Sequence, residues 1–291
     1  MKRGTLRLLP ILLAILVVGF QYCSSDKFTN EAGRTARVGM SPQQEEALGL
    51  QSFQEVLQQS QVITTGREFE LVKKVATRLA SSTGKAASDF NWEVALVRDP
   101  AVNAFCLPRG KIVVFTGILP VAQTEAGLAT VMGHEMAHAT ARHGAERVFK
   151  QQTTQTLLTG VQFSLGDMSF EQQRMIMGAL GAGAQYGVLM PFGRDHESEA
   201  DEIGLLYMAR AGYDPREAIS FWERMAQSSG SGQQPPEFLS THPAHETRIE
   251  RLRAFMPKAM EAYEQSQKQS GETSVAPGAG GGQPRRDGME W

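Results

Sequence analysis

His134, Glu135 and His138 stand in the run His134-Glu135-Met136-Ala137-His138, the strongest chemical signal in the chain. Histidines four apart on an α-helix lie one turn from each other on one face, so both imidazoles reach a single ion. Glu135 sits about 100° round the same helix, close enough to take a proton from a water at that ion without ligating it. Nitrogen donors of this kind suit zinc, and a hydrolytic zinc site needs a third protein ligand and one open position. A chain of this composition carries the motif by chance about once in a hundred times. The pattern predicts one Zn2+ per chain on His134 and His138, with Glu135 as general base.

A glycine at 141 and a histidine at 144 would supply the third ligand from the same segment. The chain has Ala141 and Gly144, and His143 is one residue out of register. The alternative source is a carboxylate on a second helix. Glu197-Ser198-Glu199-Ala200-Asp201 sets Glu197 and Asp201 one turn apart on one face, with Glu199 turned away. Glu197 completes a His, His, Glu set. Asp201 accepts a hydrogen bond from the distal nitrogen of a ligating histidine and so fixes that ring. Asp195 and His196 are expected near the site, not as ligands.

These side chains need elements to hold them. Thr124 followed by Glu125 reads as the cap of a long helix that carries the motif and runs to about Lys150. A helix over about 67–79 buries Phe69, Val72, Val75, Ala76 and Leu79 on one stripe. Strands at 92–97 and 111–116, with a turn at Pro108-Arg109-Gly110, predict a small antiparallel sheet. Further helices are expected from about Phe170, over about 195–210 and over about 244–263, with a Gly/Ser/Pro loop at 228–236. Residues 175–192 hold no charge but include four glycines, Gln185 and Pro191. That run reads as a helix buried in the protein or lying on it, rather than a bilayer span. The class is α+β, mainly helical.

Composition narrows the rest. Charged residues make up 21% and apolar residues 41%, which excludes wholesale disorder, and the net charge of −2 gives no footprint for nucleic acid. Cys23 and Cys106 are too few for a disulfide framework. Lys2, Arg3 and Arg7 precede an apolar stretch from Leu8 to Phe20. This start has three readings: a cleaved secretory signal, a lipid-modified Cys23, or a retained anchor. All three export the chain, and the last two attach it to a membrane. The expected organisation is therefore signal or anchor over 1–25, linker over 26–40, one domain over 41–264, and a disordered tail over 265–291.

An H-E-x-x-H followed, after a helical insert, by E-x-x-x-D resembles the gluzincin metallopeptidase family that contains the CAAX prenyl endopeptidases, the HtpX-type proteases and mitochondrial OMA1. The resemblance is strongest to its soluble envelope branch, the BepA- and LoiP-like members. It covers about residues 41–255: Asn103-Ala104-Phe105, Pro108 to Ile112, His134 to His143, Arg194 to Gly204, and Ser240-Thr241-His242-Pro243 with Arg248-Ile249. Arg109 departs from the family, which usually has glycine there. Membrane-embedded members carry several spanning helices that this chain lacks, which argues against prenylated substrates.

The resemblance implies a zincin-type domain with metal ligands His134, His138 and Glu197, the base Glu135 and the supporting Asp201. It also implies that Asn103, Ala104 and Phe105 form an edge strand that pairs with substrate backbone. His242 is implied as a mobile fourth ligand or an oxyanion donor, alongside Tyr186 and Arg194 as unranked oxyanion candidates. His245 and Arg248 are expected to serve the helix start and packing. The function expected is hydrolysis of peptide bonds in misfolded or misassembled envelope proteins. Its partners are unfolded or extended polypeptides, with no nucleic acid. The rival is an envelope chaperone or assembly factor whose proteolysis is latent.

Overall fold

The helix bearing the histidine pair is buried on almost every side, and the rest of the fold follows from covering it. The computed structural model describes residues 3–228, 238, 239, 242 and 247–273. In chain order the elements are α1 (Arg3–Ser24), β1 (Asp26–Thr29), β2 (Thr35–Val38), α2 (Pro42–Gln59), β3 (Val62–Ile63) and α3 (Arg67–Ser82). Then come β4 (Glu93–Val97), β5 (Ala104–Leu107), β6 (Lys111–Phe115), α4 (Leu119–Ala122), α5 (Glu125–Thr140) and α6 (His143–Ser164). The chain goes on through α7 (Phe170–Ala184), a π-helical turn, α8 (Met190–Arg210), α9 (Glu217–Ser228) and α10 (Arg248–Thr273). The architecture is mainly helical with a small sheet, as expected for the α+β class.

The chain forms two units, Met1–Ser41 with Arg142–His196, and Pro42–Ala141 with Glu197–Trp291. In the larger unit the sheet order is β3-β4-β6-β5. It is mixed rather than antiparallel throughout, because β4 and β6 run parallel while β3 and β5 flank them antiparallel. The physical reason is that β5 intervenes in sequence but lies outside β6 in space, so β4 and β6 are not a hairpin. Arg109, in the β5–β6 turn, has φ +64 and pairs with Asp89 at 2.6 Å. That left-handed conformation is where glycine is at ease, which accounts for the family's usual residue.

Thr124 caps α5, its hydroxyl accepting from the Gly127 amide at 2.9 Å. Val72, Val75, Ala76 and Leu79 of α3 are fully buried in the same core as Leu128, Val131, Met132 and Met136 of α5. Each valine, leucine and methionine among them contributes about 1.5–3 kcal/mol of burial. Gly133 of α5 meets Gly204 of α8: a Cβ on Gly204 would lie 2.9 Å from the His134 nitrogen. Two bare backbones therefore touch, and this brings Glu197 and Asp201 up to the histidines.

The helix ends at Thr140 instead of continuing to about Lys150. Arg142 takes φ +56, which breaks the hydrogen-bond ladder, and its guanidinium binds the Met40 carbonyl at 2.7 Å. No glycine or proline marks this break. At the other end, α10 extends to Thr273, so residues 265–273 are helical and not tail. Ser266 donates to the Ala209 carbonyl at 3.0 Å and docks that extension on the end of α8. The expected tail beyond 273, most of the loop at 228–236, and Thr241, Pro243 and His245 lie outside the described residues.

In the smaller unit, α1 packs on α6 at Gly160, where a Cβ would come 2.4 Å from that of Ala14. Residues 26–38, expected as linker, form a hairpin. Gly33 turns it at φ +84, and Asn30 accepts the Arg34 amide at 3.1 Å. Arg34 grips Glu146 through two bonds of 2.6 Å, and Glu146 also receives His196 at 2.9 Å. Burial would raise the Glu146 carboxyl, but Arg34 and His196 outweigh it and hold it down at about 2. His143 stacks on His196, ring centroids 4.0 Å apart. α7 buries no side chain, so the uncharged run over 175–184 lies on the surface and is not a core helix. Among the described residues, the helical run Phe170–Arg210 is long and apolar enough to cross a membrane.

Candidate metal centre

Four side chains from three segments of the larger unit converge. His134 and His138 come from α5, Glu197 from α8, and His242 from the segment before α10; one ligand atom of each lies within 4.8 Å of all the others. The His138 and His134 Nε2 atoms are 3.1 Å apart, and His134 Nε2 is 3.4 Å from His242 Nδ1. Glu197 Oε2 lies 3.4 Å from His134 Nε2, Oε1 lies 3.5 Å from His138 Nε2, and both oxygens stand 3.1 Å from His242 Nδ1. Four donors at about 2.0–2.1 Å from a tetrahedral ion would be separated by about 3.3–3.4 Å. The donor set and its spacing fit a divalent metal.

The electrostatics point the same way. Asp201 Oδ1 sits 2.9 Å from His134 Nδ1, which turns the other ring nitrogen inward. Burial alone would lower the His134 pKa, but Asp201 and Glu197 outweigh it and push it up to about 9. Burial would likewise raise Glu197, yet bonding to His134 and His242 holds its carboxyl well below the usual range. Both shifts have one cause, carboxylates held against the imidazole rings.

Glu135 is 3% exposed, and among the described residues its Oε1 has no hydrogen-bond partner, although His242 Nε2 lies 3.3 Å away. Burial pushes its carboxyl up, opposed by the charges of His242 and His134, while the Cys106 backbone amide donates to it. That amide belongs to β5, the edge of the sheet. The Asn103 carbonyl accepts from Phe115 at 3.1 Å, on the β6 side. Alternation then directs the backbone groups of Ala104 and Cys106 outward and those of Phe105 inward. Burial and Glu135 push the Cys106 thiol up, away from the reactive thiolate form.

The His242 segment is tied to the same edge. The Phe238 amide donates to the Val102 carbonyl at 3.2 Å, and the His242 amide donates to Phe238 at 2.8 Å. Phe238 stacks on His242 with centroids 4.6 Å apart, and Trp222 meets His134 edge-on at 5.6 Å. Arg194 is exposed in the smaller unit, as is Asp195, and the Tyr186 side chain lies outside the described residues.

Arg248 opens α10 and packs on Trp222, as expected of a helix-start and packing residue, and it also binds the Glu197 and Asp201 carboxylates of α8, which the sequence reading did not foresee. Its Nη2 donates to Glu197 Oε2 at 2.9 Å and its Nε to Asp201 Oδ2 at 2.7 Å. The guanidinium carbon lies 3.9 Å from the Trp222 ring centroid. Trp222 belongs to no local motif near the histidines, and the only cue to Arg248 is its place shortly after the Thr-His-Pro run.

The family model described as peptidase family M48 matches residues 67–256. The mitochondrial metalloendopeptidase OMA1 of Schizosaccharomyces pombe is 38% identical over 195 residues, covering 67% of this chain and 55% of that protein. Mitochondrial OMA1 of Homo sapiens is 35% identical over 188 residues, 61% of this chain and 34% of that one. The β-barrel assembly-enhancing protease of Escherichia coli is 28% identical over 251 residues, 83% of this chain and 50% of its own. The chain thus spans about half the length of two of these relatives and about a third of the human one.

Proposed function

Because the chain belongs to peptidase family M48, we propose that it is a zinc-dependent endopeptidase that hydrolyses peptide bonds in misfolded or misassembled cell-envelope proteins. The observation that carries this reading is the convergence of His134, His138, Glu197 and His242, one ligand atom of each within 4.8 Å of the others, with the buried Glu135 beside them. When bound, zinc supplies Lewis acidity toward the scissile carbonyl and makes water a proton donor near neutral pH. Glu135 takes that proton onto its free Oε1 as the oxygen attacks, then gives it to the departing amide nitrogen. One water is consumed and one C–N bond breaks. A carboxylate whose proton affinity is raised by burial suits both halves of this transfer. An extended substrate pairs with the outward backbone groups of Ala104 on β5, with Asn103 and Phe105 flanking it.

His242 acts in this scheme as a latch, since its Nδ1 stands where the fourth donor belongs and leaves no place for water. Its closeness to Glu197 and His134 favours a ligand over an oxyanion donor. The same closed arrangement favours a second reading, an assembly factor whose proteolysis stays latent until a client or partner moves His242. Membrane attachment through α1 is part of the proposal, supported by its exposed Leu8, Leu12, Leu16 and Phe20. Mitochondrial and bacterial relatives both stand near the chain, and the export-type N-terminus inclines us to the bacterial envelope branch.

Casein digestion with zinc analysis tests the scheme. Glu135→Gln should keep zinc and lose cleavage, whereas His242→Ala should keep zinc and cleave faster than the parent. Casein cleavage by Glu135→Gln at the parental rate would remove the assigned base. Rescue of a deletion phenotype by Glu135→Gln would favour the assembly factor.

A further inference from the structure

A buried guanidinium is expensive to desolvate and needs partners to hold it. Arg248 is 4% exposed, and it finds those partners in two carboxylates that both belong to the metal centre. Its rigid fork spans Oε2 of Glu197 and Oδ2 of Asp201, residues four apart on α8. Both carboxylates also face the histidines: Glu197 Oε1 lies 3.5 Å from His138 and Oε2 3.4 Å from His134, and Asp201 Oδ1 lies 2.9 Å from His134. Arg248 thus takes one oxygen of each acid: Asp201 keeps Oδ1 for His134, and Glu197 Oε2 is shared between the guanidinium and the rings of His134 and His242, at 3.4 and 3.1 Å. Trp222 fixes the plane of the fork from one side, at 3.9 Å, and the same indole meets His134 edge-on. Among the described residues the buried Nη1 has no hydrogen-bond partner.

We propose that Arg248 is a positioning residue that orients two of the three protein metal ligands at once, Glu197 directly and His134 through Asp201. The inference rests on the metallopeptidase reading of the site. A lysine cannot replace it: an ammonium is a point charge, and one such group does not meet two carboxylates in a fixed plane. Removing the fork leaves two carboxylates of like charge side by side on one helix face, free to turn their oxygens away from the rings. Supporting groups of this type are typically worth about 10–100-fold in metal affinity.

The test uses the full chain, stripped of metal and titrated with zinc against a chromophoric chelator. The visible spectrum of the cobalt(II)-loaded protein is recorded in parallel. Arg248→Lys, which keeps the charge and most of the stem over Trp222, should bind zinc about 10-fold more weakly. Arg248→Met should lose up to about 100-fold, and both should change the cobalt absorption. If the methionine variant fails to fold by circular dichroism, the lysine variant decides alone. Parental zinc affinity and an unchanged cobalt spectrum in a folded lysine variant would overturn the role of Arg248. A parent chain that binds neither zinc nor cobalt would instead overturn the metal-site reading beneath it.

Discussion

Replacing Gly204 by alanine sets two effects of known sign against each other. In a helix interior the change gains about 1 kcal/mol from propensity alone. At this position, however, the new Cβ would lie 2.9 Å from the His134 nitrogen and 3.0 Å from both the His134 Cα and the Gly133 carbonyl carbon. Ordinary contacts of this kind begin near 3.4 Å, so α8 must retreat by about half an ångström. The obstacle is the main chain of a buried helix and cannot rotate aside. The overpacking cost therefore belongs at the upper end of the usual range of about 1–3 kcal/mol. The balance is a net loss of about 1–2 kcal/mol. The same retreat lengthens the 2.9 Å contact between His134 and Asp201 and the 3.4 Å approach of Glu197, and should weaken zinc about 10-fold or more. Urea unfolding of the metal-free protein gives the first number, and zinc competition against a chelator gives the second. A variant more stable than its parent, with parental zinc affinity, would refute the claim that backbone contact between α5 and α8 sets the site.

Two further outcomes follow from the geometry. Metal-free His134 has a pKa of about 9 and carries a proton at neutral pH, so zinc must displace it. Apparent zinc affinity should then climb by about tenfold per pH unit up to about pH 9 and level off above it. Calorimetry in buffers of different ionisation enthalpy should find about one proton released per zinc at pH 7, and finding none would contradict the assignment. Tyr207, fully buried, donates to Thr140 at 2.9 Å across the α8–α5 contact. Tyr207→Phe should lower the unfolding free energy by about 1–2 kcal/mol, read by chemical denaturation, and an unchanged midpoint would show the bond to be idle.

What the sequence disclosed depended on how local the cause was. The His134–His138 pair and the Glu197–Asp201 pair are each fixed by one turn of helix, so their spacing can be read directly. The cap at Thr124 is local too, and so are the buried stripe of α3 and the turn at Arg109. Arg248 is different: alone it is one of 29 basic residues, and it acquires meaning only when α10 docks beside α8 and Trp222 arrives from α9. The strand order β3-β4-β6-β5 could not be read from alternation, which says which face is buried but not which strands are neighbours. The helix break at Arg142 lacks the glycine or proline that announces most breaks. Strands β1 and β2 have four residues each, too few for a period to stand out.

The hydrogen bond from the Cys106 amide to the Glu135 carboxylate joins the sheet margin to the proposed base as one mechanical part. If substrate pairs along Ala104 as proposed, a peptide that zips poorly there does more than dwell briefly, since it leaves the adjoining backbone, and with it Glu135, slightly out of place. Discrimination between good and poor client sequences should accordingly register in kcat as well as in KM. The enzyme would then tolerate contact with well-folded neighbours, which offer no free extended segment to seat against this rail.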